Sequence, residues 1–410
     1  MYIWLINHYA VPPRYYPLAR QTYFAKYLME KGHKVTVISA STVHNSDKNL
    51  IEDGAPWKRE EDDGVDHLYV NCRRYEGNGF KRVLNMYEFA RKLPKMVRML
   101  ERPDAVVSTS MPPMSCAKGI AIARKLGVPA IAEIADLWPE SLIAYDVAGP
   151  RHPFVLYLRR LEKWIYTKSD AVIFTMGGGY DYIRDQGWEK EIPAEKVFQI
   201  QNGVDLRTFD ENREKYRFDD PDLDDPGTYK IVYAGSLRKG NEQILRLLDA
   251  VKLMQGEEYR DYRFLIYGKG PLLRELEEKV VQNGYGNVRL KGFVDKKYIP
   301  YILSKCDLNI LDCVSSDVLR YGGSQNKLFD YLASGKPVIS GEGDPYSVVS
   351  LYGCGISRPF GSAEDLVEAI NEMKAHPVSY EHIRSVAEKY DFKVLTDQLL
   401  EVIRKCEAER

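Results

Sequence analysis

The sequence lacks the features that mark exported, membrane-spanning and zinc- or disulfide-stabilised proteins. Its six cysteines are scattered, and none forms the C-x-x-C pair of a zinc or redox site. The first residues, MYIWLINHYA, have no basic region and no small-residue cleavage site, and no window holds about 18 unbroken apolar residues. We therefore expect a cytoplasmic protein with reduced, buried thiols that neither crosses a membrane nor is exported.

The sequence also lacks a strong charge of one sign. The formal net charge of −1 argues against a nucleic-acid-binding protein, which would carry a basic excess. Hydrophobic content of 44% and charged content of 29% are typical of a soluble globular protein. The charge is less even locally, because residues 73–170 contain 17 lysines and arginines against 10 acids. This part of the first half is therefore basic.

Short β-branched runs alternate with longer helical patterns along the chain. The predicted strands are YIWLINH, KVTVISA, AVVSTS, PAIAEIA, AVIFTM and VFQIQ in the first half, and YKIVYAG, YRFLIYG, VRLKG, LNILD and PVIS in the second. Such alternation predicts parallel sheets with right-handed crossovers. A chain of 410 residues is longer than a single hydrophobic core usually serves, so two domains are expected. The fold class is α/β, with two Rossmann-like, doubly wound domains.

We place the domain boundary at the polar segment DLRTFDENREKYRFDDPDLDDPGT. Residues 1–205 form the first domain, 206–228 an acidic linker and 229–378 the second domain. The aspartates of the linker indicate a solvated segment, with a cation site as the alternative. Residues 379–410 are predicted to form two helices that pack on either domain, including back on the first.

Four strand-to-helix loops of the second domain have compositions suited to ligand binding. In open parallel sheets ligands bind beyond the carboxyl ends of the strands, where these loops lie. The loops are YAGSLRKGNEQ with Gly235, Ser236, Arg238 and Lys239, YGKGP with Gly268, LKGFVD with Gly292, Phe293 and Val294, and YGGSQNKLFDYLASGKPVIS with Gly323 and Ser324. Glycine after a strand is common at any sharp turn, so their occurrence at one edge matters more than any single loop.

The fourth loop leads directly into a short amphipathic helix, predicted over residues 325–334 and ended by Gly335. The first turn of a helix offers unpaired backbone N–H groups and the positive end of the helix dipole. Small residues at 322–324 let an anion approach that end. The segment is therefore either a phosphate site or an ordinary connection in an α/β sheet.

The motifs resemble a known family. The order G-x-x-x-K-G, G-x-G-P, x-x-G-F-V and N-K-L-F-D-Y-L-A-S-G-K-P-V-I, between Gly235 and Ile339, is similar to the nucleotide-sugar half of retaining glycosyltransferases of family 4 with the GT-B fold. DLWPES at 136–141 and QNGVD at 201–205 resemble members that build bacterial capsule and O-antigen with UDP-activated N-acetylamino sugars. The resemblance covers almost the whole chain and implies two domains facing a central cleft.

The resemblance implies a UDP-sugar donor, an acceptor that is a glycan or a polyprenyl-diphosphate-linked sugar, and no metal or other cofactor. The acceptor is assigned to the first domain. Asp330 is expected to bind the ribose, the N–H groups of Asn326 and Lys327 the diphosphate, and residues 292–294 the base. The implied donor-binding set is Gly235, Ser236, Gly268, Gly292, Phe293, Val294, Gly323, Ser324, Asn326, Lys327, Leu328 and Asp330.

The sequence departs from the family in two places. The family has two glutamates eight positions apart, of which the first touches the transferred sugar, whereas this chain has Gly322 and then Asp330. A related subgroup with a PNKLFDY pattern shares this loss. The first loop, HYAVPPRYYPLAR, has prolines in place of glycines, and its Arg20 is either an anion contact or a helix-surface arginine.

Asp136 is the catalytic candidate of the first domain, because it follows a predicted strand and precedes Leu-Trp-Pro. It is expected to accept the acceptor hydroxyl proton or to stabilise the cationic sugar, with helix capping as the alternative. Glu140 and His8 are further acceptor-site candidates. The resemblance favours front-face attack through an oxocarbenium-like state, with Arg238 and Lys239 as catalytic cations that stabilise the leaving diphosphate.

Residues 79–103 read as an amphipathic segment with a basic stripe, Arg91, Lys95, Arg98 and Arg102. Pro94 is expected to split it into two helices. The segment is either a peripheral contact with the inner face of an anionic membrane or a helix with its apolar face in the core.

Two alternatives to the transferase remain at this level. A UDP-sugar 2-epimerase shares the fold and needs no acceptor, although its catalytic carboxylates are not evident. The missing first glutamate also fits an inactive nucleotide- or glycan-binding subunit. A nicotinamide dehydrogenase is disfavoured, because no G-x-G-x-x-G opens the first strand-helix turn.

Overall fold

The chain folds into two compact units in a computed structural model. The structure describes residues 1–16, 19–44, 46–77, 79–144, 146–237, 243–312 and 319–410, without the side chains of 243 and 312. Unit 1 comprises Met1–Gln201 and Phe392–Arg410, and unit 2 comprises Asn202–Asp391.

Unit 1 is built on an eight-stranded sheet in the order β3-β4-β2-β1-β5-β6-β7-β8. All neighbouring strands are parallel except β3 and β4. The strands are β1 (Tyr2–Ile6), β2 (Lys34–Ala40), β3 (Trp57–Asp62), β4 (Val65–Val70), β5 (Ala105–Ser110), β6 (Ala130–Ile134), β7 (Ala171–Phe174) and β8 (Val197–Gln199). The central strands are buried throughout, as expected for a parallel sheet covered on both faces.

The helices of unit 1 connect these strands. They are α1 (Arg20–Glu30), α2 (Phe80–Met96), α3 (Pro113–Leu126), α4 (Glu140–Ala144), α5 (Pro153–Lys168) and α6 (Gly179–Asp185), with 3-10 turns at Val97–Met99 and Ala194–Lys196. α3 begins with a proline at its first position and ends at Gly127 in the left-handed conformation, the usual signals for those two ends.

Unit 2 is a six-stranded parallel sheet in the order β11-β10-β9-β12-β13-β14. Its strands are β9 (Tyr229–Ala234), β10 (Tyr262–Tyr267), β11 (Val288–Gly292), β12 (Leu308–Asp312), β13 (Val338–Ser340) and β14 (Gly355–Ser357). Its helices are α7 (Leu206–Lys215), α8 (Pro221–Asp224), α9 (Gln243–Leu253), α10 (Leu273–Asn283), α11 (Ile299–Ser304), α12 (Asn326–Ala333), α13 (Val348–Leu351), α14 (Ala363–Ala375) and α15 (Tyr380–Lys389). Further 3-10 turns span Glu257–Tyr259, Lys296–Tyr298 and Leu319–Tyr321.

The last helix, α16 (Phe392–Ala408), belongs to unit 1, whereas α15 belongs to unit 2. Phe392 stacks on Tyr23 of α1 with ring centroids 4.9 Å apart, and Leu399 and Ile403 lie in the same buried cluster as the strands of the first sheet. The predicted C-terminal pair of helices is therefore divided between the units.

The predicted linker at 206–228 is wrong, because the segment is part of unit 2. It forms α7 and α8, and Leu206, Phe209 and Leu223 are buried in a hydrophobic cluster of that unit. The aspartates are engaged as well: Asp220 and Asp222 both accept from Lys291 Nζ, at 2.7 and 2.5 Å. Two aspartates of the acidic run are thus paired with a lysine of β11.

The sequence prediction missed three strands, β3, β4 and β14. β3 reads WKREED and is largely exposed, so it has neither the apolar content nor the β-branched residues of the other strands. The signal that would have found it is the Asp63-Gly64 turn, where both residues have positive φ, as in a two-residue hairpin turn. β14 has only three residues.

The predicted division of residues 79–103 at Pro94 is also wrong. α2 runs through Pro94 to Met96, and a 3-10 turn follows directly. Pro94 has no N–H group, so the helix loses one hydrogen bond there. Because Pro94 lies in the last turn of α2, only two helical residues follow it. Among the helices of the described residues, none has the length and apolarity needed to cross a membrane.

Arg20 is a buried structural arginine and not a residue of the helix surface. Its Nε donates to Glu133 Oε1 at 2.8 Å, and its terminal nitrogens donate to the carbonyl oxygens of Gln201 and Ile200 at 2.5 and 2.8 Å. Gln21 and Thr109 also donate to Glu133. We therefore withdraw the prediction that Arg20 binds an acceptor anion.

We expect Arg20→Met to lower the free energy of unfolding by about 3–5 kcal/mol, because it leaves the Glu133 charge buried without its partner. The measurement is urea-induced unfolding. The double variant Arg20→Met/Glu133→Gln removes the charge but keeps an acceptor for Gln21 and Thr109, so it recovers much of the loss. Equal stability of Arg20→Met and the wild type would show that this ion pair does not hold unit 1 together.

Candidate functional site

The loops after β9, β10 and β11 are hydrogen-bonded to each other beyond the ends of the strands. Gly235 N donates to Tyr267 O at 3.0 Å, and Gly268 N donates to Gly292 O at 2.7 Å. Leu237 N then donates to Lys269 O at 3.0 Å. The three glycine-containing loops predicted from the sequence thus form one continuous backbone surface at the carboxyl edge of unit 2.

Two glycines allow this close approach. A Cβ on Gly268 would lie 2.0 Å from the carbonyl oxygen of Gly235, and a Cβ on Gly270 would lie 2.1 Å from that of Leu237. The obstacle in both cases is backbone, which cannot rotate away as a side chain would. Gly270 also has a φ of +153°, which side-chain-bearing residues rarely adopt.

α12 begins next to these loops, one residue after the predicted start. Tyr331 in its middle contacts the end of β9, because Ala234 N donates to the Tyr331 hydroxyl at 3.0 Å. Lys327 Nζ lies 4.4 Å from the centroid of the Tyr233 ring, also on β9. At the start of an α-helix the backbone N–H groups, here those of Asn326 and Lys327, have no carbonyl of a preceding helical turn to donate to. This end of α12 therefore has the properties of an anion site.

Asp330 lies one turn into α12, and its side chain is 18% exposed. Burial raises the pKa of its carboxyl above the ordinary value, and the ammonium of Lys296, 3.7 Å away, lowers it. A sheltered carboxylate beside a lysine can accept hydrogen bonds from a bound hydroxyl pair.

Leu328 does not fit the predicted donor-binding role. Its side chain is 4% exposed and packs in a hydrophobic cluster of unit 2, and its N–H donates to Gln325 O at 3.1 Å. The NKLFDY pattern therefore alternates site positions with core positions, as an amphipathic helix requires.

Ser324 and Gly323 are placed by contacts within unit 2. Asn202 N donates to Ser324 Oγ at 2.9 Å, and Asn202 Nδ2 donates to Ser324 O at 2.6 Å. The QNGVD motif is therefore joined to the loop before α12. A Cβ on Gly323 would lie 2.8 Å from Glu342 Oε1.

Glu342 lies beside the loop before α12 and was not singled out in the sequence analysis. It follows β13, is 5% exposed, and accepts from Gln325 Nε2 at 2.9 Å. A lone glutamate two residues after a short strand carries no motif. The signal was its position, since it follows a strand end at the same edge of the sheet as the predicted loops.

Phe293 and Val294 follow β11 and differ in environment. Phe293 is 63% exposed, and Lys269 Nζ lies 3.9 Å from the centroid of its ring. Val294 packs against the hydrophobic cluster that contains α12. Ser236 O accepts from the Tyr233 hydroxyl at 3.1 Å. Arg238 and Lys239 lie outside the described residues.

Asp136 in unit 1 lies at the end of β6 and is bound locally. Its Oδ1 accepts from Ser141 Oγ at 2.6 Å. Burial raises the pKa of this carboxyl, and hydrogen bonds from Ser141, the Leu137 backbone and the Trp138 side chain lower it. The carboxylate therefore organises the turn into α4 in addition to any chemistry it performs.

Glu140 and His8 are placed among protein groups. Glu140 Oε1 lies 2.5 Å from an Arg159 terminal nitrogen, next to Glu162, whose pKa burial raises to about 8. His8 is fully buried, its ring lies 5.1 Å from that of Phe89, and burial lowers its pKa to about 3. Neither His8 nor Glu140 shows the environment expected of an acceptor contact.

Aromatic side chains gather at the carboxyl edge of the unit 1 sheet, which the sequence did not indicate. The rings of Tyr9 and His44 are 4.8 Å apart, His44 Nδ1 lies 3.0 Å from the Tyr75 hydroxyl, and Arg82 Nε donates to the Tyr9 hydroxyl at 3.0 Å. Across the described ranges of both units, no three acids, histidines or cysteines are grouped to hold a metal ion.

We expect Gly270→Ala to lower the free energy of unfolding by roughly 1–3 kcal/mol or more, because the new methyl group meets the Leu237 carbonyl. Gly286→Ala is the matched control, since a Cβ there meets nothing within 4 Å. Chemical unfolding of both variants compares them. Equal stability of the two would mean that the two loops do not need this backbone contact.

Comparison with known proteins agrees with this geometry. A family model described as Glycosyltransferase Family 4 matches residues 21–208, and one described as Glycosyl transferases group 1 matches residues 228–376. No curated protein sequence matches the chain significantly.

Solved structures resemble the chain over its whole length. Sucrose-phosphate synthase from Thermosynechococcus elongatus is 17% identical with a TM-score of 0.70, and the match covers 100% of both chains. Anabaena HepE in complex with UDP is 13% identical with a TM-score of 0.66, over 99% of this chain and 100% of that one. WaaG, a glycosyltransferase involved in lipopolysaccharide biosynthesis, is 14% identical with a TM-score of 0.63, over 98% and 99%.

At these identities the structural similarity establishes the fold, which is GT-B, and the family models establish the class. Each of the two α/β units is matched by its own glycosyltransferase model, and the two matched ranges together span well over half of the chain. The chain therefore belongs to the glycosyltransferases, with a Family 4 domain followed by a group 1 domain.

Proposed function

We propose that this glycosyltransferase moves a sugar from a UDP-sugar to a glycan or polyprenyl-diphosphate-linked acceptor, with retention of configuration. The observation that carries the proposal is the carboxyl edge of unit 2. There the first turn of α12, the glycine loops and Asp330 lie together in a domain matched by a glycosyl transferase model. Unit 1 is assigned to the acceptor.

The diphosphate is assigned to the first turn of α12. Asn326 and Lys327 offer N–H groups at the positive end of the helix dipole, and the Lys327 ammonium lies above Tyr233 near the same loops. Gly235 and Gly323 carry no side chain that would hinder the phosphate oxygens. Arg238 and Lys239 follow Gly235 in the sequence and supply further positive charge in this proposal.

The nucleoside is assigned to Asp330 and the loop after β11. Asp330 accepts hydrogen bonds from the ribose hydroxyls, while Gly292, Phe293 and Val294 contact the base. The exposed Phe293 ring next to Lys269 offers a flat apolar face of the kind that stacks on a base. Uridine is proposed as the base because HepE, similar over the full length, was solved with UDP.

Stabilising the leaving UDP is the main catalytic task in a front-face mechanism, and fixed dipoles and cations perform it without reorganisation. Asp136 is proposed as the carboxylate that assists from unit 1. Glu342 and Gln325 occupy the neighbourhood of Gly322, where the family has its first glutamate, and we assign them to positioning the donor sugar.

The pathway is proposed to be bacterial surface polysaccharide synthesis, with an N-acetylamino sugar as the transferred group. Support comes from the DLWPES and QNGVD motifs and from the lipopolysaccharide role in the name of WaaG. A lipid-linked acceptor implies peripheral contact with the inner face of an anionic membrane through residues 79–103, of which Phe80, Arg91, Lys95 and Arg98 are exposed.

A second candidate function is a catalytically inactive nucleotide- or glycan-binding subunit. The observation that favours it is Gly322, which removes the carboxylate that the family uses at the transferred sugar. The two candidates differ in donor turnover: UDP release from a UDP-sugar occurs only with the transferase.

We expect Asp330→Asn to weaken UDP binding roughly 10- to 150-fold, because a charge-assisted hydrogen bond to the ribose contributes about 1.5–3 kcal/mol. Isothermal titration with UDP measures the affinity, and thermal unfolding without UDP shows that the fold is kept. Asp249→Asn, an exposed aspartate of α9, is the control and should bind as the wild type does. Unchanged affinity in Asp330→Asn would remove the assignment.

We expect Asp136→Asn to reduce the rate of sugar transfer by roughly 10²- to 10⁴-fold with UDP affinity unchanged. Asparagine keeps an oxygen that accepts from Ser141, so the turn is preserved. Ser141→Ala is the control, because it removes the same hydrogen bond but keeps the carboxylate. If Ser141→Ala lost as much rate as Asp136→Asn, or if Asp136→Asn transferred at the full rate, Asp136 would be structural only.

A further inference from the structure

Three helices of unit 1 enclose a groove that the sequence did not indicate. Its volume is about 770 Å³, and it lies among α2, α3 and α5. The lining includes Tyr87 and Pro94 from α2, Ala121 from α3, and Tyr157 and Trp164 from α5. α3 contributes Met114, Ala117, Lys118 and Ala121, and the other two helices contribute the aromatic side chains.

The groove is unusual because its aromatic walls are open to solvent. Tyr87 is 39% exposed, Tyr157 is 41% exposed and Trp164 is 37% exposed. Phe80 at the start of α2 is 73% exposed. Large apolar side chains that stay exposed together mark a contact surface. Tyrosine and tryptophan are the residues enriched where protein meets the boundary between lipid and water.

The charge on these helices is strongly positive. α2, α3 and α5 carry twelve lysines and arginines and two glutamates, in a chain whose formal charge is −1. Glu88 is paired with Arg73 and Lys92 at 2.8 and 2.7 Å. Glu162 is buried and accepts from two tyrosine hydroxyls. Both acids are therefore engaged, and the exposed charge around the groove is basic.

We propose that this groove receives an acyl chain of an anionic glycerophospholipid while the basic side chains around it contact the lipid head groups. Arg91, Lys118 and Arg160 are exposed near the groove and match anionic lipid in charge. The alanines and the aromatic side chains that line the groove are suited to contact with the acyl chain. In this proposal α5 contacts the membrane together with residues 79–103.

The inference rests on the proposed membrane contact and is independent of the nucleotide site. Much of the apolar face predicted for residues 79–103 packs inside unit 1, since Met86, Ala90 and Leu93 are buried. The exposed apolar surface is instead formed jointly by α2 and α5, next to the exposed basic residues. The groove between them supplies the apolar contact that a single basic helix lacks.

The first test is co-sedimentation with vesicles of phosphatidylcholine alone or of equal parts phosphatidylcholine and phosphatidylglycerol. We expect the wild type to bind the anionic vesicles and not the neutral ones, and Tyr157→Ser/Trp164→Ser to bind about tenfold more weakly. Val281→Ser on α10 of unit 2, which removes a 79% exposed valine, is the matched control and should bind normally. UDP-induced thermal stabilisation of each variant shows that the fold and the nucleotide site are intact.

The second test detects the chain in the groove. Lipids with brominated acyl chains quench tryptophan fluorescence on contact, so we expect quenching in the wild type and its loss in Trp164→Phe. Trp57→Phe, which replaces a 38% exposed tryptophan of β3, should keep the quenching.

The proposal is overturned if the wild type does not bind anionic vesicles or binds neutral vesicles equally well. It is also overturned if Tyr157→Ser/Trp164→Ser binds as the wild type does, or if Trp164→Phe retains full quenching. Vesicle binding with no stabilisation by UDP would support the groove and count against the proposed transferase, so the two failures are distinguishable.

Discussion

The proposed nucleotide site of unit 2 depends on a contact between two stretches of backbone. The loops after β9 and β10 lie so close that the carbonyl oxygens of Gly235 and Leu237 occupy the space a Cβ on Gly268 or Gly270 would need. This contact extends the hydrogen bonding of the sheet beyond its strands. It keeps side chains away from this edge, so that bare backbone lies beside the first turn of α12. A phosphate can approach such a surface closely, and the mutual hydrogen bonds of the loops hold it in shape before a ligand binds.

The glycine loops and the start of α12 were largely predictable from the sequence because their signals are local. Glycine loops after strands and an amphipathic helix with a sheltered acid are short patterns, and the structure brings them to one edge. The buried Leu328 was included in the donor-binding set because a motif does not separate partly exposed positions from core positions on the same helix. Glu342 was not singled out because only the fold brings it into contact with Gln325, seventeen residues earlier in the chain. Long-range contacts of this kind leave no pattern in the sequence.

Unit 1 was less predictable for the same physical reason. Arg20 is separated from Glu133 by 113 residues, and this ion pair makes Arg20 structural. The acidic segment after residue 205 has the composition of a linker. Lys291 nevertheless pairs with two of its aspartates, and its few apolar residues join the core of unit 2. The basic excess was visible in residues 73–170, but only the fold shows that α5 stands beside α2 and shares a groove with it. The composition of residues 73–170 indicated a basic excess, and the tertiary structure shows that part of it lies around this groove.

Amide hydrogen exchange of the wild type with and without UDP shows which backbone segments the nucleotide protects. We expect slower exchange of the backbone at residues 235–237, 268–272 and 326–328, since the proposal assigns these three segments to the nucleotide. Exchange at the groove of α2, α3 and α5 should stay unchanged. Protection confined to unit 1, or no protection at any of the three segments at saturating UDP, would contradict the assignment of the donor site to the carboxyl edge of unit 2.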